Sequence, residues 1–292
     1  MLSPDIIRKI KKVHIKSARA VDAAMAGHYR SLFRGVGIEF EEVREYAPGD
    51  EVKSIDWKVS ARLGKPFVKR YREERERVVM LLVDMSASGR FGTGEALKQE
   101  IAAETAGVLA FNAVRSNDTV GAIFFTDRVE KYLPPQKGTA HVWQVIREIF
   151  SFEPEGVGTD IRAALAFLGR VCRRRAVTFL ISDFLDDGYQ RELKTLAHRH
   201  ELIGVRLFDP GEFELPAGGM LHVRDLEGGE FRWIDAGNPK TRRAWREARE
   251  AAVARAEETL RSAGVPWLAI RTGEEAADAL NRFFRARGRG RR

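Results

Sequence analysis

Five oxygen-bearing side chains are spaced along this sequence so that they could surround one hard cation. Asp84, Ser86 and Ser88 stand at i, i+2 and i+4 directly after an apolar run. Residues two apart in an extended loop point the same way, so three oxygens can face one point. Thr159 lies in Gly158-Thr159-Asp160, after a glycine-rich loop and at the start of a helical pattern. Asp183 ends a second apolar run. An all-oxygen set suits Mg2+ best among the expectations here, with Mn2+ or Ca2+ as alternatives. Two carboxylates would neutralise the ion, and neutral hydroxyls would leave it electrophilic. An uncovered coordination position would then attract a carboxylate from outside. The same residue types also cap helices, so Asp84, Ser86 and Ser88 could instead serve the next helix, and Asp183 one beginning near Gly188.

The elements that must position these groups are legible from hydrophobic patterning. Val78 to Asp84 (VVMLLVD), Thr119 to Phe125 (TVGAIFF), Ala176 to Ser182 (AVTFLIS) and Glu201 to Phe208 are short apolar runs. Such runs suit strands buried on both faces of a parallel sheet. Arg128 to Leu133 reads as a hairpin partner or edge strand. Glu95 to Arg115, Ala140 to Phe150, Ile161 to Cys172 and Tyr189 to His198 read as helices. Strands alternating with helices predict a doubly wound, mostly parallel α/β sheet over residues 78–284. In such sheets ligands bind at the carboxyl ends of strands, which is where Asp84 and Asp183 fall.

Flanking this body, residues 1–77 combine a helix (Asp5 to Met25, with Pro4 in its first turn) and a stretch from Arg34 to Tyr71 rich in aromatics and turn signals. Near 210–236, Met220 to Arg224 and Glu230 to Asp235 predict a hairpin turning at Gly228-Gly229. A charged helix (Lys240 to Ser262), a strand (Pro266 to Ile270) and a closing helix (Glu274 to Phe284) follow. The basic tail 285–292 is expected to be disordered.

The 292 residues carry 44% apolar and 32% charged side chains, a composition with enough apolar surface for a real core. No stretch reaches the roughly 18 consecutive apolar residues of a membrane helix, and Met1 to Lys16 lacks a signal peptide's apolar run, so a cytoplasmic protein is expected. The single cysteine, Cys172, cannot form an intrachain disulfide and reads as a small core residue. A net charge of +8 favours anionic partners without choosing among them.

The spacing of Asp84, Ser86, Ser88, Thr159 and Asp183 resembles the metal-ion-dependent adhesion site of von Willebrand factor A domains. By that resemblance all five are ligand positions, in the right order along the chain. Upstream, Arg44-Glu45-Tyr46-Ala47-Pro48-Gly49-Asp50 leads to Ile55-Asp56-Trp57-Lys58-Val59-Ser60-Ala61-Arg62. This resembles the signature of the domain-of-unknown-function 58 (DUF58) family, over about Arg34 to Phe208. The resemblance implies a von Willebrand-type fold and a MoxR-type AAA+ ATPase as partner. Within the signature, Pro48-Gly49 is a turn, Asp50, Asp56 and Arg62 are expected in buried ion pairs, and Trp57 is an apolar anchor. The segment either packs on the body as scaffold or forms part of a partner-binding face; Arg44, Tyr46, Gly49, Asp50, Asp56, Trp57, Ser60 and Arg62 are its candidate residues.

Catalytic alternatives fail on residue type. A dehalogenase-type phosphatase needs a second acid two residues after the first, and here that position is Ser86. No nucleophile elbow or phosphate loop is present. His198 and His200, two apart on a helical pattern, diverge and are expected at the surface. The expectation is therefore a metal-dependent protein-interaction module, not an enzyme. Its rivals are a nucleic-acid binder using the basic N-terminal helix (Arg8, Lys9, Lys11, Lys12, Lys16) and the Arg-rich tail, and a structural module with a vestigial metal site.

Overall fold

The computed structural model describes residues 4–21, 25–27, 29, 38–73, 76–94 and 96–289. Residues 34–37 and 290–292, and Glu95 at the expected start of a helix, therefore lie outside the described residues.

Six strands form the central sheet: β3 (Val78–Asp84), β4 (Thr119–Phe125), β5 (Val129–Gln136), β6 (Val177–Ser182), β7 (Glu201–Phe208) and β10 (Trp267–Arg271). Their order is β10-β7-β6-β3-β4-β5. Every neighbouring pair is parallel except β4 with β5, which are joined as a hairpin. The runs lack polar alternation because both sheet faces are covered. Val79, Leu81 and Val83 of β3 pack on one face with the helices α1 (Pro4–Ala20), α3 (Lys98–Arg115), α4 (Thr139–Ser151) and α8 (Ala276–Arg289). Met80 and Leu82 point the other way. They meet α5 (Ile161–Val171), α6 (Gln190–Arg199) and the carboxyl half of α7 (Pro239–Ser262).

Helix α3 is the pivot. It is buried along almost its whole length, and Gly107 lets α1 press against it: a Cβ there would fall 2.7 Å from the Ser17 hydroxyl. Helix α1 lays Ile10 and Val13 into the core and commits part of its basic surface to ion pairs. Lys9 reaches Glu100 at 2.5 Å, and Lys16 reaches Glu104 and Glu275, each at 2.8 Å.

Four expectations are corrected. The 34–71 stretch is more regular than expected: β1 (Ile38–Glu45) and β2 (Phe67–Glu73) pair antiparallel around the short helix α2 (Trp57–Leu63). The tail is helical as far as Arg289, because Arg287 is drawn back to Glu201 at 2.8 Å. His200 is buried rather than exposed; its Nδ1 accepts the Ala176 N–H at 3.3 Å, while His198 stays at the surface. Trp57 is 68% exposed and anchors nothing. The remaining hairpin, β8 (Met220–Arg224) with β9 (Phe231–Asp235), pairs only with itself. Cys172 is buried, as its helical setting predicts.

Candidate metal site at the carboxyl ends of β3 and β6

Strands β3 and β6 are direct neighbours, with Val83 opposite Ile181, so both chains leave the sheet side by side. Asp84 and Asp183 are delivered to one crevice. Asp84 accepts the Ser86 backbone N–H at 2.9 Å through Oδ1 and the Ser182 hydroxyl at 2.6 Å through Oδ2. The Ser86 and Ser88 hydroxyl oxygens lie 3.0 Å apart, and the Ser88 hydroxyl favours the charged form of Asp183. Phe184, directly after Asp183, holds a left-handed backbone with φ 61°, a costly conformation for a bulky residue. It is fixed by complete burial of the ring and by its N–H to the Ser182 hydroxyl at 3.1 Å. The turn of the chain at Asp183 is thus set by packing.

Thr159 comes from the loop between α4 and α5. That loop is stitched to the β3 loop by Ala87 N–H to the Val157 carbonyl at 2.9 Å. Its glycine at 156 is required, since a Cβ would fall 2.2 Å from the Thr126 hydroxyl. Thr159 donates at 3.1 Å to Glu227, in the turn of the β8–β9 hairpin, and the Ser86 and Ser88 hydroxyls are near enough to that carboxylate to favour its charged form. Glu227 therefore faces the hydroxyl side of the crevice.

A buried ammonium completes the cluster. Lys98 Nζ reaches Asp183 at 2.8 Å and Glu212 at 2.5 Å, with the lysine side chain 4% exposed. Burial pushes Asp84 up to about 7, and the Asp183 charge adds to it. Burial acts on Asp183 in the same direction, but the Lys98 ammonium holds its carboxyl below the usual range. Glu227 is raised by burial first and by Asp183 second. Counted formally, four carboxylates (Asp84, Asp183, Glu212, Glu227) face the Lys98 ammonium and the buried Arg206 guanidinium, an excess of about two negative charges that a divalent cation would cancel.

The residues present therefore fit a divalent cation: oxygen donors only, two carboxylates and three hydroxyls converging, and surplus negative charge. Among the described residues no three of His, Cys, Asp and Glu stand together as a metal-holding group. The helix-capping alternative does not describe these side chains. Helix α3 begins after Leu97 and α6 after Tyr189, neither with a side-chain cap, and Asp160 rather than Thr159 caps α5.

Four participants were missed in the sequence: Ser182, Lys98, Glu212 and Glu227. Lys98 left a signal. A lysine in the first turn of a helix opposes the helix dipole, and it is tolerated here because two carboxylates hold it. Glu227 left none, since its place depends on how the hairpin folds over the crevice.

The signature residues form a separate ribbon. Arg44 grips Asp50 with two hydrogen bonds of 2.6 and 2.8 Å, and Asp50 also accepts the Ala47 N–H, closing a turn in which Gly49 has φ 108°. Tyr46 N–H bonds the Pro66 carbonyl, and Ser60 accepts the Phe67 N–H. Asp56 caps α2 and pairs with Lys69 at 3.0 Å. The expected buried ion pairs of Asp50, Asp56 and Arg62 are thus partner-swapped and peripheral, with Arg62 exposed because it sits on the outer side of a helix of only seven residues.

Residues 42–256 match the family described as Protein of unknown function DUF58. The chain is also 32% identical to Uncharacterized protein Rv1480 of Mycobacterium tuberculosis over 290 residues, covering 98% of this chain and 91% of that protein. It belongs to the DUF58 family. Among solved structures, this DUF58 chain resembles an aerotolerance-related membrane protein from Bacteroides fragilis, with TM-score 0.49, 17% identity, and coverage of 72% of this chain and 99% of that one. Proximal thread matrix protein 1 of the mussel byssus, with a zinc-occupied MIDAS motif, matches with TM-score 0.36 and 17% identity over 45% of this chain and 38% of that one. At such scores the function of this DUF58 protein has to be argued from its own residues.

Proposed function

We propose that this protein is a divalent-metal-dependent protein-interaction module with a von Willebrand factor A-like, doubly wound body, working in the cytoplasm as an adaptor or co-chaperone of a MoxR-type AAA+ ATPase. The observation that carries the reading is the convergence of Asp84, Ser86, Ser88, Thr159 and Asp183 at the ends of two adjacent strands. Mg2+ is the ion of choice, because hard oxygen donors and few direct carboxylates suit it, with Mn2+ as a close substitute. The role of the ion is to bridge: an acidic side chain of the ATPase enters its coordination shell. The site's oxygen donors face one crevice with no phosphate loop beside it among the described residues, which supports a reading of binding over catalysis.

The test has two parts. Calorimetry with Mg2+ or Mn2+ should give heat with the wild-type chain and none with Asp84→Ala; equal heat in both removes the metal assignment. A crosslinked pull-down from native cells should recover the ATPase without EDTA and lose it with EDTA. Recovery unaffected by EDTA removes the metal bridge, and absence of any such ATPase removes the pairing.

A further inference from the structure

The carboxylate of Glu227 stands where an incoming acidic ligand would stand. It accepts from Thr159 at 3.1 Å and lies beside the Ser86 and Ser88 hydroxyls and the Asp183 carboxylate of the candidate cation site. Nothing else on the hairpin reaches these hydroxyls among the contacts described. The turn that carries Glu227 is built to present it. Asp225 accepts the backbone N–H groups of Glu227 and Gly228 at 3.0 and 3.1 Å, and Gly229 closes the turn with φ 71° and an N–H to the Asp225 carbonyl at 2.9 Å. A glutamate held by its own turn beside three hydroxyls is preorganised for coordination.

The hairpin behind it is poorly anchored. Strands β8 and β9 pair only with each other, and a two-stranded hairpin alone is marginally stable in water. Its outward face exposes Met220, Phe231 and Trp233, with His222 stacked against both rings at 4.8 and 4.5 Å. Such an aromatic face on a weakly held element suits capture by a partner as it lifts.

We infer that Glu227 is an internal ligand of the cation site, and that the β8–β9 hairpin is a displaceable cover which an external carboxylate must replace before the site can bind a partner. This rests on the metal-site reading above. The cover would add one carboxylate to the oxygen donors of the five loop and strand residues. It also prevents the bound ion from taking carboxylates indiscriminately, because any competitor must outbid a tethered glutamate at high effective concentration.

The test uses the full chain with Mg2+ alone as the probe. Calorimetry on wild type, Glu227→Ala, Glu227→Gln and Asp84→Ala is paired with hydrogen exchange of amides 220–235, with and without Mg2+. Glu227→Ala should weaken Mg2+ binding about tenfold, with Glu227→Gln in between. Mg2+ should slow exchange across 220–235 in wild type and leave it unchanged in Glu227→Ala. Without metal, those amides should exchange faster in Glu227→Ala than in wild type. Unchanged affinity in Glu227→Ala together with unchanged hairpin exchange overturns the internal ligand while leaving the metal site standing. Absence of Mg2+ heat in wild type, or equal heat in Asp84→Ala, overturns the metal site itself and the internal ligand with it. Glu227→Gln preserves side-chain shape, so a folding defect confined to the alanine variant does not obscure the comparison.

Discussion

The crevice at the ends of β3 and β6 and the ribbon of β1, α2 and β2 differ in every physical respect. In the crevice, charged groups are buried, carry surplus negative charge and are held by strands at the centre of the sheet. In the ribbon, ion pairs lie at the surface, and Val52, Trp57 and Leu63 are 62%, 68% and 55% exposed. Chemistry that depends on distance needs the first kind of surroundings, because a buried polar cluster is rigid only when fully satisfied. Recognition of a broad surface is served by the second, where large apolar groups are left available. On the proposed function, the contrast places the cation in the body and part of the partner's footprint on the ribbon.

The severest way to break this contrast is to remove the buried ammonium. Lys98→Met should leave Asp183 and Glu212 facing each other unpaired and destabilise the fold by about 4 kcal/mol. Urea denaturation in EDTA measures it, and a loss below about 1 kcal/mol would mean the cluster is far wetter than described. Next comes pH. Burial pulls His200 down to about 4, below its ordinary value near 6.5, and its Nδ1 must stay unprotonated to accept the Ala176 N–H. The unfolded chain therefore binds more protons between those values. Stability is full above about pH 6.5 and should fall progressively toward pH 4, by on the order of 2 kcal/mol from this group. The fall should be absent in His200→Asn; an identical acid profile in both proteins would assign the loss elsewhere.

Smaller effects sharpen the contrast. Ser86→Ala and Thr159→Ala each remove one hydroxyl at a loop and should cost under about 1 kcal/mol in thermal denaturation without metal, while weakening Mg2+ binding. A larger loss would make these residues structural. Trp57→Ala should change stability by less than about 0.5 kcal/mol, since the ring is mostly solvated already. It should nonetheless weaken capture of the ATPase; full capture would return the ribbon to scaffold.

The division also governs what could be read from the sequence. The four apolar runs became β3, β4, β6 and β7, with bounds matching to within one residue, because burial on both faces leaves an unmistakable pattern. The five candidate positions stood out in the sequence since each sits just after such a run or at the start of a helix. The ribbon was not. Its strand β1 carries a register shift between Phe40 and Glu42, which breaks the two-residue alternation that would have marked it. Glu212 was invisible for a different reason: it meets Lys98 from 114 residues away in sequence, and only the folded chain brings the two together beside Asp183.

The edge strand β5 has a consequence for how this molecule meets others. Its sequence, Val-Glu-Lys-Tyr-Leu-Pro-Pro-Gln, carries two adjacent prolines before its last residue, and its pairing with β4 slips between Val120 and Ala122, opposite them. Proline has no N–H to offer, and an irregular border is a poor template for a flat ladder. The proline end of that border therefore disfavours strand addition, which works against fibrils and sheet-to-sheet dimers seeded there.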